Sequence, residues 1–279
     1  MIEGHGDDIY RYAGKVKYNF SSNIFPSGHL ERVMRHLACN PSLLGAYPEP
    51  FPGTLEAAIA RKEGVATENV MVTNGATEAI YLIAHAWKGA VSAIVSPTFS
   101  EYEDACRMYG HALIYMDAPD GDAADAGIVW ICNPNNPVGK IADKKKAQHI
   151  AEVCGEREIV CVFDECFMDL ADGYSMKEKV PVIKAFTKTY AMAGLRLGYM
   201  IADTDFVCDV QRQLPMWNVS AAAQIGGITA INDNDYLEKG KKIIREEREF
   251  LIGELKNLGF KVFNSDVNFI LFKGSVGLD

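Results

Sequence analysis

From residue 70 onward the chain alternates short runs of apolar, often β-branched residues with longer stretches whose apolar positions recur at helical spacing. Strands are predicted at 70–73, 91–96, 111–116, 128–132, 159–163, 182–186 and 198–202. Helices are predicted at 79–87, 100–109 and 144–154, and again at 221–231 and 236–258. Lys256-Asn257-Leu258-Gly259 then reads as a helix stop before two closing strands at 260–263 and 268–272. Such alternation implies a mostly parallel sheet with helices on both faces. Upstream the pattern is weaker. A helix is predicted at 29–38, and Thr54 is placed as the cap of another that ends near Gly64. Between them Pro48, Pro50 and Pro52 exclude helix and sheet interior alike. Residues 1–28 read as an arm with little core of its own.

Composition changes this picture only a little. The 279 residues suggest about two domains, or one large α/β unit with an appendage, and 48% hydrophobic with 23% charged residues suits a soluble globular protein. The net charge of −9 argues against a nucleic-acid partner, though not against a local cationic pocket. No apolar run approaches the roughly 18 residues of a membrane span, and the N-terminus lacks the pattern of a signal peptide. The seven cysteines, with no CxxC, read as reduced and mostly buried in a cytoplasmic protein. His5, Asp7 and Asp8 carry metal-ligand atoms, but in a Gly-rich arm they read as a solvated loop, and no metal site is expected.

In sheets of this kind ligands bind beyond the carboxyl ends of the strands, so the residues just after each strand carry the chemistry. After 70–73 come Gly75, Ala76 and Thr77 at a helix N-terminus, where exposed N–H groups and the helix dipole favour an anion. After 91–96 comes Phe99, an aromatic at the rim. After 128–132, two Asn-Pro steps in Asn133-Pro134-Asn135-Asn136-Pro137-Val138-Gly139 hold amide side chains in a rigid turn. After 159–163 comes Asp164, a carboxylate that is costly at the end of a buried run unless it meets a cation. After 182–186 come Thr187 and Lys188, a lysine whose partial burial favours the nucleophilic neutral amine. Arg196 follows as a fixed cation suited to a phosphate. Together these describe one ligand, with a phosphate, a flat ring, a ring oxygen, a cationic ring nitrogen and an aldehyde. Pyridoxal 5′-phosphate fits.

With those motifs in view, the chain resembles the class I/II aminotransferases of the fold-type-I pyridoxal-phosphate enzymes. Within them it is similar to the histidinol-phosphate aminotransferase and threonine-phosphate decarboxylase group. The resemblance spans NFSSNIFP, the Tyr-Pro at 47–48, VTNGATEAI, SPTFSEY, CNPNNPVG, VFDECF and FTKTYAMAGLRLGY. It implies that Lys188 links covalently to the cofactor aldehyde and later carries the proton, while Asp164 keeps the ring nitrogen protonated. Asn136 would donate to the ring oxygen and Phe99 would stack on the ring. Gly75, Ala76, Thr77, Thr187 and Arg196 would surround the cofactor phosphate. Tyr47 would reach the phosphate of a neighbouring subunit, which implies a homodimer with shared sites. Asn23 and His5 would face the substrate. The large domain is expected over 48–232, with 1–47 and 233–279 forming the arm and a smaller α+β domain, incomplete at its C-terminal end relative to the family.

Three departures bear on the reaction. Phe167 stands where the aminotransferases have Tyr, as in the threonine-phosphate decarboxylases. His5-Gly6 also resembles those decarboxylases, although Asp7-Asp8 replaces their Gly-Asn. The family's C-terminal arginine for the substrate carboxylate has no counterpart before Asp279. The expectation is a small phosphorylated amino acid or amine as substrate, with decarboxylation of L-threonine-O-3-phosphate placed ahead of a histidinol-phosphate-type transamination. A pyridoxal-phosphate-binding protein without turnover is the reading from another class.

Overall fold

The computed structural model describes residues 11–12, 14–25, 29–117, 123 and 125–274. The seven strands expected between residues 70 and 202 form where the apolar runs place them, within a residue. In chain order the principal elements are α1 (His29–Cys39), α2 (Gly53–Glu63), β1 (Val70–Thr73), α3 (Ala76–Ala86) and β2 (Val91–Val95). They continue with α4 (Glu101–Met108), β3 (Ala112–Met116), β4 (Ile128–Cys132), α5 (Lys144–Glu156) and β5 (Val160–Asp164). Next come β6 (Val182–Ala185), the single turn α6 (Phe186–Thr189), β7 (Gly198–Ile201), α7 (Thr204–Gln211) and α8 (Ala221–Ile231). The long α9 (Asn234–Asn257) precedes β8 (Lys261–Val262) and β9 (Phe272–Lys273).

The seven-stranded sheet has the order β1-β7-β6-β5-β4-β2-β3. The β2, β3, β4, β5 and β6 pairings are parallel, and β7 runs against both of its neighbours. Both faces are buried, so alternate residues of one strand serve different layers. Val129 and Ile131 join the core beneath α2, α5 and α8, while Ile128, Trp130 and Cys132 join the core beneath α3, α4 and α7. No described helix is long and apolar enough to cross a membrane.

Several local expectations are corrected. Thr54 does not cap α2, because the helix begins at Gly53 and Glu49 reaches back to accept from the Thr54 amide at 2.9 Å. α3 starts at Ala76, ahead of the expected residue 79, so Ala76 and Thr77 lie in its first turn. α7 was missed; Asp203 caps it by accepting from the Phe206 amide at 2.9 Å, and Phe206, Val207 and Val210 are its buried positions. The strand expected at 268–272 survives only as Phe272–Lys273. Its leading residues are anchored one by one instead: Asn268 Nδ2 donates to the Asn23 carbonyl at 3.1 Å, and Phe269 packs edge-on against Phe167 at 4.9 Å.

A polar cluster is buried in the layer beneath α2. Glu165 is fully buried, and its carboxyl accepts from Ser175 Oγ at 2.6 Å and from the Met176 amide at 2.7 Å. Burial raises its pKa, the Lys184 charge and these two donors lower it, and Asp169 raises it again, leaving it at about 7 against the usual 4.5. Glu63 balances the other way. Burial raises its pKa, but Lys184, Lys177 and Tyr199 outweigh that and bring it to about 2. Stability from Glu63 is therefore present above pH 4.5 and lost toward pH 2, whereas Glu165 sheds stability as pH rises from 4.5 through 7. Glu165→Gln is expected to abolish a decline of up to about 3 kcal/mol in wild-type unfolding free energy between those last two values. Urea unfolding across that range checks it, and parallel curves for the two proteins would contradict it.

Candidate active site

Register brings the site together. Cys132 is level with Asp164, Asp164 with Ile183, and Ala185 with Gly198, which is also level with Thr73. The ends of β1, β4, β5 and β6 thus share one edge of the sheet. Because β7 is reversed, its beginning lies at that edge too, and it carries Arg196 in just ahead of Gly198. A cavity of about 180 Å³ opens there, lined by residues that include Ala76, Thr77, Phe99, Asn136, Asp164, Thr187, Lys188 and Arg196.

Its anion-favouring end is built by close backbone approach. Gly75 has φ +83°, a conformation that favours glycine, and a Cβ there would lie 2.8 Å from Arg196 Nη2 and displace the guanidinium. A Cβ on Gly198 would lie 2.5 Å from the Ala76 nitrogen, so β7 begins directly against the first turn of α3. Arg196 itself has φ +54° and donates to the Ala193 carbonyl at 3.2 Å. A guanidinium and the N–H groups of an eleven-residue helix thereby converge on one region.

Asp164 is 6% exposed. Its Oδ2 accepts from the Tyr102 hydroxyl at 2.6 Å and its Oδ1 from the Cys166 amide at 2.9 Å. Burial, then the Asp164 charge, pushes the Tyr102 phenol and the Cys166 thiol well above their ordinary ranges, and the same two causes take Cys132 to about 12. The carboxylate is surrounded on these sides by groups that stay neutral. Lys188 lies on the one-turn helix α6, with Nζ 5.8 Å from the centre of the Phe167 ring. Phe99 meets Tyr102 edge-on at 5.9 Å. The asparagine turn divides its labour. Asn133 accepts from the Ala142 amide at 2.8 Å, Asn135 accepts from the Val138 amide at 3.1 Å, and Asn136 is left to face the cavity.

Three expected residues do not line this cavity in the single chain. Gly75 stands behind Arg196. Tyr47 is 86% exposed and packs on Trp217 at 5.4 Å. Asn23 is joined through its carbonyl to Asn268, and His5 lies outside the described residues. Conversely, Cys132, Cys166 and Ala185 line the cavity although the sequence reading does not place them there, and Phe167, noted for its departure from Tyr, lines it too. Cys132 follows from the strand-end rule applied to β4. Tyr102, the donor to Asp164, had no sequence signal beyond being an aromatic on an amphipathic helix. Among the described residues no group of three or more His, Cys, Asp or Glu side chains is placed to hold a metal ion.

Known proteins place this geometry. Residues 15–276 match the family described as aminotransferase class I and II. A threonine-phosphate decarboxylase from Salmonella typhimurium is 30% identical, over 82% of this chain and 68% of its own length. A histidinol-phosphate aminotransferase from Moorella thermoacetica is 28% identical, over 95% and 74% respectively. The crystal structure of L-threonine-O-3-phosphate decarboxylase from Porphyromonas gingivalis superposes with a TM-score of 0.84 at 28% identity, covering 92% of this chain and 82% of that one. The strand-end cavity and the family match, which covers almost the whole chain, agree: this protein belongs to the class I and II aminotransferase family.

Proposed function

We propose that the protein is a pyridoxal 5′-phosphate-dependent enzyme acting on a small phosphorylated amino acid or amine, and that its reaction is the decarboxylation of L-threonine-O-3-phosphate. One observation carries the cofactor reading. A buried carboxylate with only neutral donors beside it, a lysine, and an arginine against a helix N-terminus all line one cavity. These residues fit the group. Arg196, Ala76, Thr77 and Thr187 would hold its phosphate, with the missing Cβ of Gly75 making room for the guanidinium. Phe99 would lie against the ring and Asn136 would donate to the ring oxygen. When bound, the cofactor supplies an electron-withdrawing ring that stabilises negative charge at the substrate Cα.

The chain's own residues then divide the work. Asp164 would favour a protonated ring nitrogen in the bound cofactor, because a carboxylate in a site of low dielectric stabilises a cation. Tyr102 and the Cys166 amide fix the direction of that carboxylate. Lys188 carries a proton to and from the substrate at Nζ. Phe167 offers it an aromatic face and no hydroxyl. Phe99, Phe167, Cys132 and Ala185 give the cavity walls that offer water few hydrogen-bond partners. Exposed Tyr47, packed on Trp217, suits contact with a second copy of the chain, and a homodimer with shared sites is part of this proposal. So are substrate contacts from Asn23 and His5, the division at residues 48 and 232, and a cytoplasmic setting, which the free thiols of the described cysteines support.

Phe167 and His5-Gly6, together with the similarity to threonine-phosphate decarboxylases, favour loss of CO₂. Similarity to histidinol-phosphate aminotransferases supports transamination as the second reading. The test is a side-by-side assay of the cofactor-loaded protein. L-Threonine-O-3-phosphate is expected to yield CO₂ and aminopropanol phosphate, and histidinol phosphate with 2-oxoglutarate little glutamate. Glutamate without CO₂ would reverse the two readings, and neither product would overturn both. Asp164→Asn is expected to keep the cofactor but lose about 10²–10⁴-fold in kcat. Turnover close to wild type would contradict the role of Asp164.

A further inference from the structure

The C-terminal turn of α2 grips the segment that carries Lys188 on both sides of that residue. Upstream of it, Lys184 is 4% exposed, and its Nζ lies 3.0 Å from Glu63 Oε1 and 2.9 Å from Asp169 Oδ1. Glu63 Oε1 also accepts from the Tyr199 hydroxyl at 2.8 Å, and Lys177 holds Oε2 at 2.9 Å. Lys184 and Tyr199 are direct partners across β6 and β7, so one carboxylate oxygen fastens both strands. Downstream, Lys62 donates to the Tyr190 hydroxyl and its Nζ lies 5.0 Å over the Tyr190 ring. Tyr190 is the residue that closes α6.

The backbone ladders that hold this segment are short. β6 pairs with β7 over its four residues and with β5 at Val182 and Ile183, where the Phe163 amide donates to the Pro181 carbonyl at 3.0 Å and the Glu165 amide to the Ile183 carbonyl at 2.8 Å. A slip of one residue in so short a ladder would exchange the two faces of the strand, turning Lys184 into the cavity layer and Ala185 out of it. Burial disfavours the Lys184 charge, but Asp169, Glu63 and Glu165 outweigh this and hold the amine protonated above its ordinary range. Its position is therefore fixed by charge as well as by hydrogen bonds.

We propose that Glu63 and Lys184 are positioning residues for the active site. With Lys62 on Tyr190, they fix the register of β6 on β7 and hence the spacing of the Lys188 amine and the Arg196 guanidinium. The inference rests on the reading of Lys188 and Arg196 as cofactor contacts. Neither positioning residue touches the cavity.

The experiment compares pyridoxal 5′-phosphate affinity, by tryptophan fluorescence titration, with urea unfolding in the same proteins. Lys184→Met leaves Glu63 and Asp169 less compensated and is expected to lose both stability and affinity, the latter about tenfold or more. Lys184→Arg is expected to restore affinity. The decisive protein is the double variant Glu63→Gln/Lys184→Met, which removes one charge of each sign. It is expected to regain stability while its affinity stays about tenfold below wild type. It also carries the test if Lys184→Met does not fold. Affinity that recovers along with stability would mean the cluster only holds the fold together, and would overturn the inference. Wild-type protein that binds no pyridoxal 5′-phosphate would overturn the site reading itself, a different outcome from the one before.

Discussion

β6 sends Ile183 and Ala185 to one face of the sheet and Lys184 to the other, and the rest of the site depends on that alternation. On the cavity face, Ala185 clears space beside Asp164 at the strand ends. On the opposite face, Lys184 is taken up by carboxylates of Glu63 and Asp169. Two lysines four residues apart therefore occupy opposite chemical settings. Lys184 is held charged among acids, whereas Lys188 stands over an aromatic ring in a cavity that Asp164 also lines.

The reversed strand β7 completes the arrangement. A purely parallel sheet presents only strand ends at its carboxyl edge, but β7 begins there and delivers Arg196 to the N-terminus of α3. Two glycines shape the approach, Gly198 by letting β7 pass the backbone of Gly75 and Ala76, and Gly75 by its φ of +83° beside the guanidinium. Positive charge thus collects at one end of the cavity and the Asp164 carboxylate marks another part of its lining. Tyr102, Cys132 and Cys166 stay protonated around that carboxylate and do not dilute its charge.

Lys188, Asp164, Asn136, Thr77 and Arg196 were legible because each follows, or immediately precedes, an apolar run that can only be a buried strand. The edge where those runs end is a property of topology, not of any one residue. What stayed hidden depends on pairs distant in the chain. Tyr102 meets Asp164 across 62 positions and Lys184 meets Glu63 across 121, and nothing in either local pattern announces a partner. α7 escaped notice because eight residues give barely two turns of periodicity, although Asp203 had the right type and place for a cap. The expected strand at 268–272 was misjudged because its apolar alternation serves separate anchors, Asn268 on the arm and Phe269 on Phe167, and not a ladder.

Parity on β6 and the clamp behind it leave Lys188, and not its buried neighbour Lys184, as the reactive amine. Borohydride reduction of the protein loaded with pyridoxal 5′-phosphate, followed by peptide mapping, tests this directly. A single reduced adduct, on Lys188, is expected. An adduct on Lys184, or no adduct on Lys188, would contradict it.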